Sequence, residues 1–368
     1  MSLGEDDDSG PALIAYRRYY GDRDAGILVV NTSSGDVQEL IRGDFGSELA
    51  WSPDGAHIAF TFKPSPWDKQ LMVMDRDGAN QKKLTGDDVL VGGAMAWSPD
   101  GSELAFSGGF VGSETAGIGV LVTDRNGTDV RELVGGFDAV DDLAWSPDGR
   151  HIAFGGWMRN LEDTKGVSSG GGSLVNVNLV AVTSFIPLDV FVMEADGTNL
   201  RELTGGRNPE WSPDGGRILF SSIAIGPFGV VELETGSIRR LTQDLPGFAE
   251  RVCPSGHCTL DTFDPTEVRF GAASWSPDGE HILFSADRDG DSDLFLMNAA
   301  GATCQLTDNY SQDWYAAWSP DGSRIAFSSD RDGEFQIYVM NADGTAVTKV
   351  SDGDGFVSNL VWSRGKAG

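Results

Sequence analysis

One five-residue phrase, Trp-Ser-Pro-Asp-Gly, returns throughout this chain and dictates what it can fold into. It begins at Trp51, Trp97, Trp145, Trp211, Trp275 and Trp318, and a worn copy stands at Trp362-Ser363-Arg364-Gly365. Successive tryptophans lie 46, 48, 66, 64, 43 and 44 residues apart. A recurring period of this size marks a repeat architecture, in which each unit buries its apolar surface against its neighbours. The two wider gaps each hold an insertion.

The repeat from Trp318 shows what one unit is. Ala316-Ala317-Trp318 is a first apolar run, and Ser319-Pro320-Asp321-Gly322 is a turn, with proline presetting φ and glycine relieving strain. Ile325-Ala326-Phe327 and Gln336-Ile337-Tyr338-Val339-Met340 read as the next two strands. The hairpin signal Asp343-Gly344 then leads to a fourth, Val347-Thr348-Lys349-Val350. Four short antiparallel strands without helical periodicity make one propeller blade.

Only three such strands precede Trp51: Leu13-Ile14-Ala15-Tyr16, Gly26-Ile27-Leu28-Val29-Val30 and Val37-Gln38-Glu39-Leu40-Ile41. The missing first strand is available at the other end, in Asn359-Leu360-Val361-Trp362. The expectation is an all-β, seven-bladed propeller of four-stranded antiparallel blades, with one blade shared between the N- and C-termini. Closure removes the exposed sheet edges that invite aggregation. Residues 11–368 form this single domain, with insertions at 157–188 and 243–272. Residues 1–10, which include Glu5-Asp6-Asp7-Asp8, read as a disordered acidic leader.

Trp-Ser-Pro-Asp-Gly followed by Ile-Ala-Phe, then Ile-Tyr-Val-Met-Asn-Ala-Asp-Gly, resembles the WD40-like (PD40) repeat of TolB-like β-propellers. The match recurs along nearly the whole chain. TolB itself resembles a six-bladed propeller behind an amino-terminal domain and binds periplasmic and lipoprotein partners, whereas seven blades are counted here. Related propellers gate serine peptidases or act as seven-bladed polysaccharide lyases, so the resemblance implies the fold and leaves function to the site.

The charge narrows the partners. Asp and Glu number 56 against 27 Lys and Arg, a net charge of -29, which repels phosphate backbones and argues against nucleic acid. No apolar run is long enough to span a bilayer as a helix, and no basic-then-apolar leader opens the sequence. Cys253 and Cys258, in Cys-Pro-Ser-Gly-His-Cys, are spaced for a local disulfide pinning the second insertion. Such a bridge implies an oxidising, periplasmic or extracellular setting. Cys304 reads as a free thiol or a partner-facing accident.

Strand alternation puts the Ser-Pro-Asp-Gly and Asp-Gly turns on one face of the disc. Loops between second and third strands, and between blades, fall on the other. Both insertions belong to this second face, where long loops on a rigid scaffold place binding sites. Tyr19, Tyr20, Trp67, Phe110, Trp157, Tyr310 and Trp314 lie beside strands on the same face and are the candidate anchors.

Enzyme signatures are thin. His57, His151 and His281 each stand six residues after a repeat tryptophan, where other repeats carry Glu103, Arg217 and Arg324, so they occupy a structural repeat position away from the insertions. Gly166-Val167-Ser168-Ser169-Gly170 fits a hydrolase pattern but lacks the flanking strand and helix. Asp287, Asp289, Asp291 and Asp293 alternate through a tight loop and form a candidate calcium set. Their glycine falls at the wrong place for an EF-hand, which favours a structural hairpin.

The sequence therefore reads as a monomeric, non-catalytic binding propeller of the cell envelope or exterior. It requires no cofactor, with calcium as the one candidate. Its partner is a protein or peptide, before a glycan, on the insertion-bearing face. The alternative is a propeller enzyme, a lyase or hydrolase with its site at the channel mouth. Clustered His, Arg and acidic side chains in the channel would favour the enzyme, and small apolar ones would favour binding.

Overall fold

The computed structural model describes residues 12–363 apart from 22–23, 66–67, 114–116, 159–187, 223–227, 242–268, 288–289 and 299–302. The acidic leader and most of both insertions, with Trp67, Cys253, Cys258, Asp289 and Ser168, lie outside the described residues. The described strands form seven four-stranded antiparallel sheets. Blade 1 is composite, in the order Phe356–Trp362, Leu13–Gly21, Asp24–Asn31, Val37–Gly43. Ile14 pairs with Trp362 and Ala15 with Val361, so the last strand closes the ring against the first. Blades 2 to 7 occupy residues 45–83, 89–137, 139–205, 207–240, 269–305 and 313–349. The strand Arg269–Trp275 opens blade 6, so residues 269–272 belong to the blade and not to the second insertion. Its seven residues make it longer than the three-residue apolar run read from the repeat.

The core is divided into wedges between blades. Ile14, Tyr16 and Leu28 of blade 1 pack with Ile337 and Val339 of blade 7. Leu13, Ala15 and Ile27, on the other face of the same strands, pack with Phe45, Leu49, Ile58 and Phe60 of blade 2. A sheet buried on both faces needs continuous apolar strands, which is why Ile-Ala-Phe recurs without alternation.

The repeat phrase joins these wedges, residue by residue. In all six intact copies the serine Oγ donates to the aspartate Oδ1 at 2.5–2.6 Å. It also accepts from the backbone N–H five residues on, at 2.9–3.0 Å. The glycine has a left-handed φ of 63–73°. From the second copy onward its Cα also faces the proline of the preceding blade's turn, so that a Cβ would lie 3.4–3.8 Å from that ring. The tryptophan reaches backwards too. Nε1 of Trp51, Trp97, Trp145, Trp211 and Trp362 donates to Val361, Ala50, Ala96, Ala144 and Ala317 carbonyls of the preceding blade at 3.0–3.3 Å.

This belt has two gaps. Nε1 of Trp275 and of Trp318 is buried without a hydrogen-bond partner among the described residues. Both gaps border blade 6, one on each side.

In three repeats the residue six places after the tryptophan leans forward instead. His151 stacks on Trp211 at 5.9 Å, Arg217 lies 4.7 Å over Trp275, and Arg324 lies 5.4 Å over Trp362. At these three positions histidine or arginine offers a flat polar group to the next blade's indole.

Candidate binding face and channel

The first strand of each blade lines the central channel, and each is bulged upstream of its tryptophan. Asp142, Asn208, Tyr315 and Asn359, each three residues before a tryptophan, adopt φ of 47–54°. Bulges of this kind re-aim side chains. In blade 7 the bulge residue is a tyrosine, strained into the left-handed region and 43% exposed.

Tyr315 belongs to an aromatic patch at the insertion-side mouth of the channel. Phe356, at the start of the closing strand, is its hub. Around Phe356 sit Phe335 at 4.9 Å, Trp314 at 6.0 Å, Tyr315 at 6.0 Å and Tyr19 at 6.1 Å between ring centroids. Trp314 stacks on Phe335 at 5.4 Å with planes 20° apart. Edge-to-face and stacked pairs at these distances are mutually stabilising. The buried Arg17 guanidinium lies 4.7 Å over the Tyr19 ring and donates to the Phe45 carbonyl at 3.3 Å. Burial lowers the Arg17 pKa, opposed chiefly by Tyr19 and Glu48. Burial raises the Tyr315 pKa, with Tyr19 adding to it. Five rings from two neighbouring blades thus meet in one patch, with Arg17 beneath Tyr19.

Of the seven anchors expected from sequence, the structure brings together Tyr19 and Trp314. Tyr310 stands alone and fully exposed on the loop before Trp314. Tyr20 is committed to the rim: its hydroxyl donates to Glu39 at 2.7 Å, and Arg42 lies 4.2 Å over its ring. Phe110 packs against the wedge between blades 2 and 3. Trp157 is half-buried at the end of the strand His151–Trp157. Tyr315, Phe335 and Phe356 were missed. An aromatic at the bulge position, where other repeats carry Glu48, Ala94, Asp142, Asn208, Ala272 or Asn359, was the available signal for Tyr315.

The acidic loop is drawn into the sheet. Asp293 is buried, accepting from Gln305 Nε2 at 2.8 Å and Thr307 Oγ1 at 3.0 Å. Burial pushes its carboxyl up to about 7, with Asp291 and Asp313 adding to the rise. Asp287 accepts from the Gly290 N–H within the turn. Among the described residues no group of three or more His, Cys, Asp or Glu is placed to hold a metal ion. Asp313, fully buried, is neutralised by Arg331 at 3.2 Å.

Cys304 is disulfide-bonded, which corrects its reading as a free thiol. The chain's other cysteines are Cys253 and Cys258, both outside the described residues. One of them must serve Cys304 if the bond is internal, and that bridge would replace the expected pairing of the two.

At the opposite end the channel opens into a cavity of about 940 Å³. All seven repeat tryptophans line it, with prolines of the turns and small residues such as Ala50, Ala144, Ser274 and Ala317.

Residues 265–367 match the model of the TolB beta propeller domain. The chain has a TolB-like β-propeller fold. Solved structures with the same fold serve different ends, at identities that speak for fold alone. TolB from Acinetobacter baumannii is 16% identical, with a TM-score of 0.51 over 96% of this chain and 83% of that one. The β-propeller domain of the Trilobed protease from Pyrococcus furiosus is 12% identical, with a TM-score of 0.62 over 94% and 95%. That domain is described as having an open velcro topology. In this TolB-like propeller the strand Phe356–Trp362 fills the composite blade. Oligogalacturonate lyase from Vibrio parahaemolyticus is 10% identical, with a TM-score of 0.58 over 84% and 78%.

Proposed function

We propose that this protein is a non-catalytic binding propeller of the cell envelope or exterior, taking a protein or peptide on its insertion-bearing face. The observation that carries the reading is the half-exposed aromatic patch of Tyr19, Trp314, Tyr315, Phe335 and Phe356 at the channel mouth. Clustered aromatics on a rigid scaffold, with low side-chain entropy to lose, are what anchor a partner. The excess of acid favours a partner that sets basic groups around its apolar anchors.

Two observations favour binding over catalysis. His151 is engaged in blade-to-blade stacking, and His57 and His281 hold the equivalent repeat position. The channel end described above is lined by small and apolar side chains, with a single carboxylate among them. The likeness to TolB supports the envelope setting and a protein partner by analogy of fold. Calcium at Asp287, Asp291 and Asp293 is not needed by this reading; a melting temperature unchanged by millimolar calcium agrees with a structural hairpin.

The test is selection of linear peptides from a random library on the intact protein. Affinity of the selected peptides should fall at least tenfold in Trp314→Ala and in Phe356→Ala, about the loss expected for a central anchor. Equal affinity in both variants, with the fold retained by circular dichroism, would reject the patch.

A further inference from the structure

The tryptophan-lined cavity on the turn face holds one charged side chain that the repeat does not call for. At the residue before each repeat tryptophan the chain carries Ala50, Ala96, Ala144, Ser274, Ala317 and Val361, and in blade 5 it carries Glu210. Glu210 lines the cavity, and its Oε1 accepts from the Trp275 backbone N–H at 3.1 Å. Glu210 is half-buried in the cavity wall. A carboxylate costs far more to desolvate than the alanine it replaces, so its presence here calls for a compensating group.

We propose that this cavity binds a small organic ammonium ion, with Glu210 as its counter-ion and the tryptophans as its apolar and π-rich wall. The volume is that of a small-molecule pocket, and tryptophan is the aromatic that best favours a cation. The turns whose prolines line the cavity also carry Asp54, Asp100, Asp148, Asp214, Asp278 and Asp321, each with a lowered pKa, and their charge on this face favours the approach of cations.

The site is pH-dependent in a defined sense. Burial pushes the Glu210 carboxyl up to about 8, held back only by the Trp275 N–H. Charged groups on the packed elements are Asp141 and Asp142 of blade 4, Arg207 of its own strand, Arg217 stacked on Trp275, and Arg269 at the far end of blade 6's first strand. None of these contributes to the Glu210 shift. An entering cation therefore meets a protonated acid below pH 8, and binding releases that proton to solvent. Affinity rises with pH up to about 8 and levels off above it.

The experiment is calorimetric titration of the full chain with benzyltriethylammonium at pH 8.5 and pH 6.5. Wild type should bind saturably at pH 8.5 and about tenfold or more weakly at pH 6.5. Glu210→Gln and Glu210→Ala, the latter restoring the residue of four other blades, should lose binding at both pH values. Neutral benzyl alcohol should not bind at either. No binding by wild type overturns the proposal. So does undiminished binding by either variant, which would assign it to the acidic surface at large. Tighter binding of a lysine tripeptide than of the ammonium probe would overturn the small-molecule assignment. The site lies on the opposite face from the aromatic patch, so the two readings fail independently.

Discussion

Trp362 Nε1 donates to the Ala317 carbonyl at 3.0 Å, across the seam where the last strand of the chain enters the ring. Its repeat copy has lost proline, aspartate and glycine, yet the indole keeps the bond made by Trp51, Trp97, Trp145 and Trp211. The closing strand thus retains the part of the phrase that reaches the neighbouring blade. Trp51 extends the belt by bonding the Val361 carbonyl of the same strand at 3.1 Å.

The belt makes a differential prediction. Trp362→Phe loses the N–H bond and should cost about 1 kcal/mol more than Trp318→Phe, whose indole N–H has no partner among the described residues. Both create a similar cavity, so the difference isolates the bond. Urea-denaturation midpoints measure it, and equal shifts would refute the belt as a source of stability.

Glycines at the outer hairpins meet the adjacent blade. At Gly127, φ is 67° and a Cβ would lie 2.6 Å from the Leu84 carbonyl oxygen, whereas Gly236, with φ of 68°, has open space. Gly127→Ala should therefore cost about 1–3 kcal/mol more than Gly236→Ala. Thermal melts of the two variants decide it.

Acid and base limits should have separate origins. The six turn aspartates have depressed pKa values, mainly from serine hydroxyl and backbone N–H donors, though Asp54 works against desolvation as its largest influence. Their stabilisation is present above the unfolded carboxylate pKa and lost as pH falls through the folded one. Glu210 runs the other way. Its folded pKa of about 8 exceeds the unfolded value, so stability is full at low pH and declines as pH rises towards 8. Glu210→Gln should match wild type at pH 5 and exceed it by about 1–2 kcal/mol at pH 8.5, after discounting for water in the cavity. An identical difference at both pH values would contradict the assignment.

Peptide mapping without reduction should find Cys304 in a cross-linked peptide with Cys253 or Cys258. Alkylation of Cys304 in the unreduced, unfolded protein would show a free thiol instead.

Blade number and the composite blade were legible because each follows from a period that the sequence repeats. The aromatic patch was not. Phe335 and Phe356 are ordinary strand-flanking residues until the closing strand brings Phe356 beside Tyr19, more than three hundred positions away in the chain. Proximity to a loop does not say what a ring meets: Tyr20 lies under Arg42 and Phe110 packs against a wedge. Asp293 looked like a ligand by spacing, but it pairs with Gln305 and Thr307 across its own sheet. Glu210 departs visibly from the small residues of its repeat position. Its meaning depends on the cavity, which only the closed ring creates.

The most direct test of the central claim is site-specific photocrosslinking. p-Benzoylphenylalanine placed at Tyr315, at the insertion-side mouth, and at Ser323, in a turn on the opposite face, is irradiated in an envelope extract of the source cells. The account predicts a discrete protein or peptide adduct from position 315, abolished by Phe356→Ala, and none from position 323. An adduct from 323 alone, or one of equal yield from both positions, would contradict it.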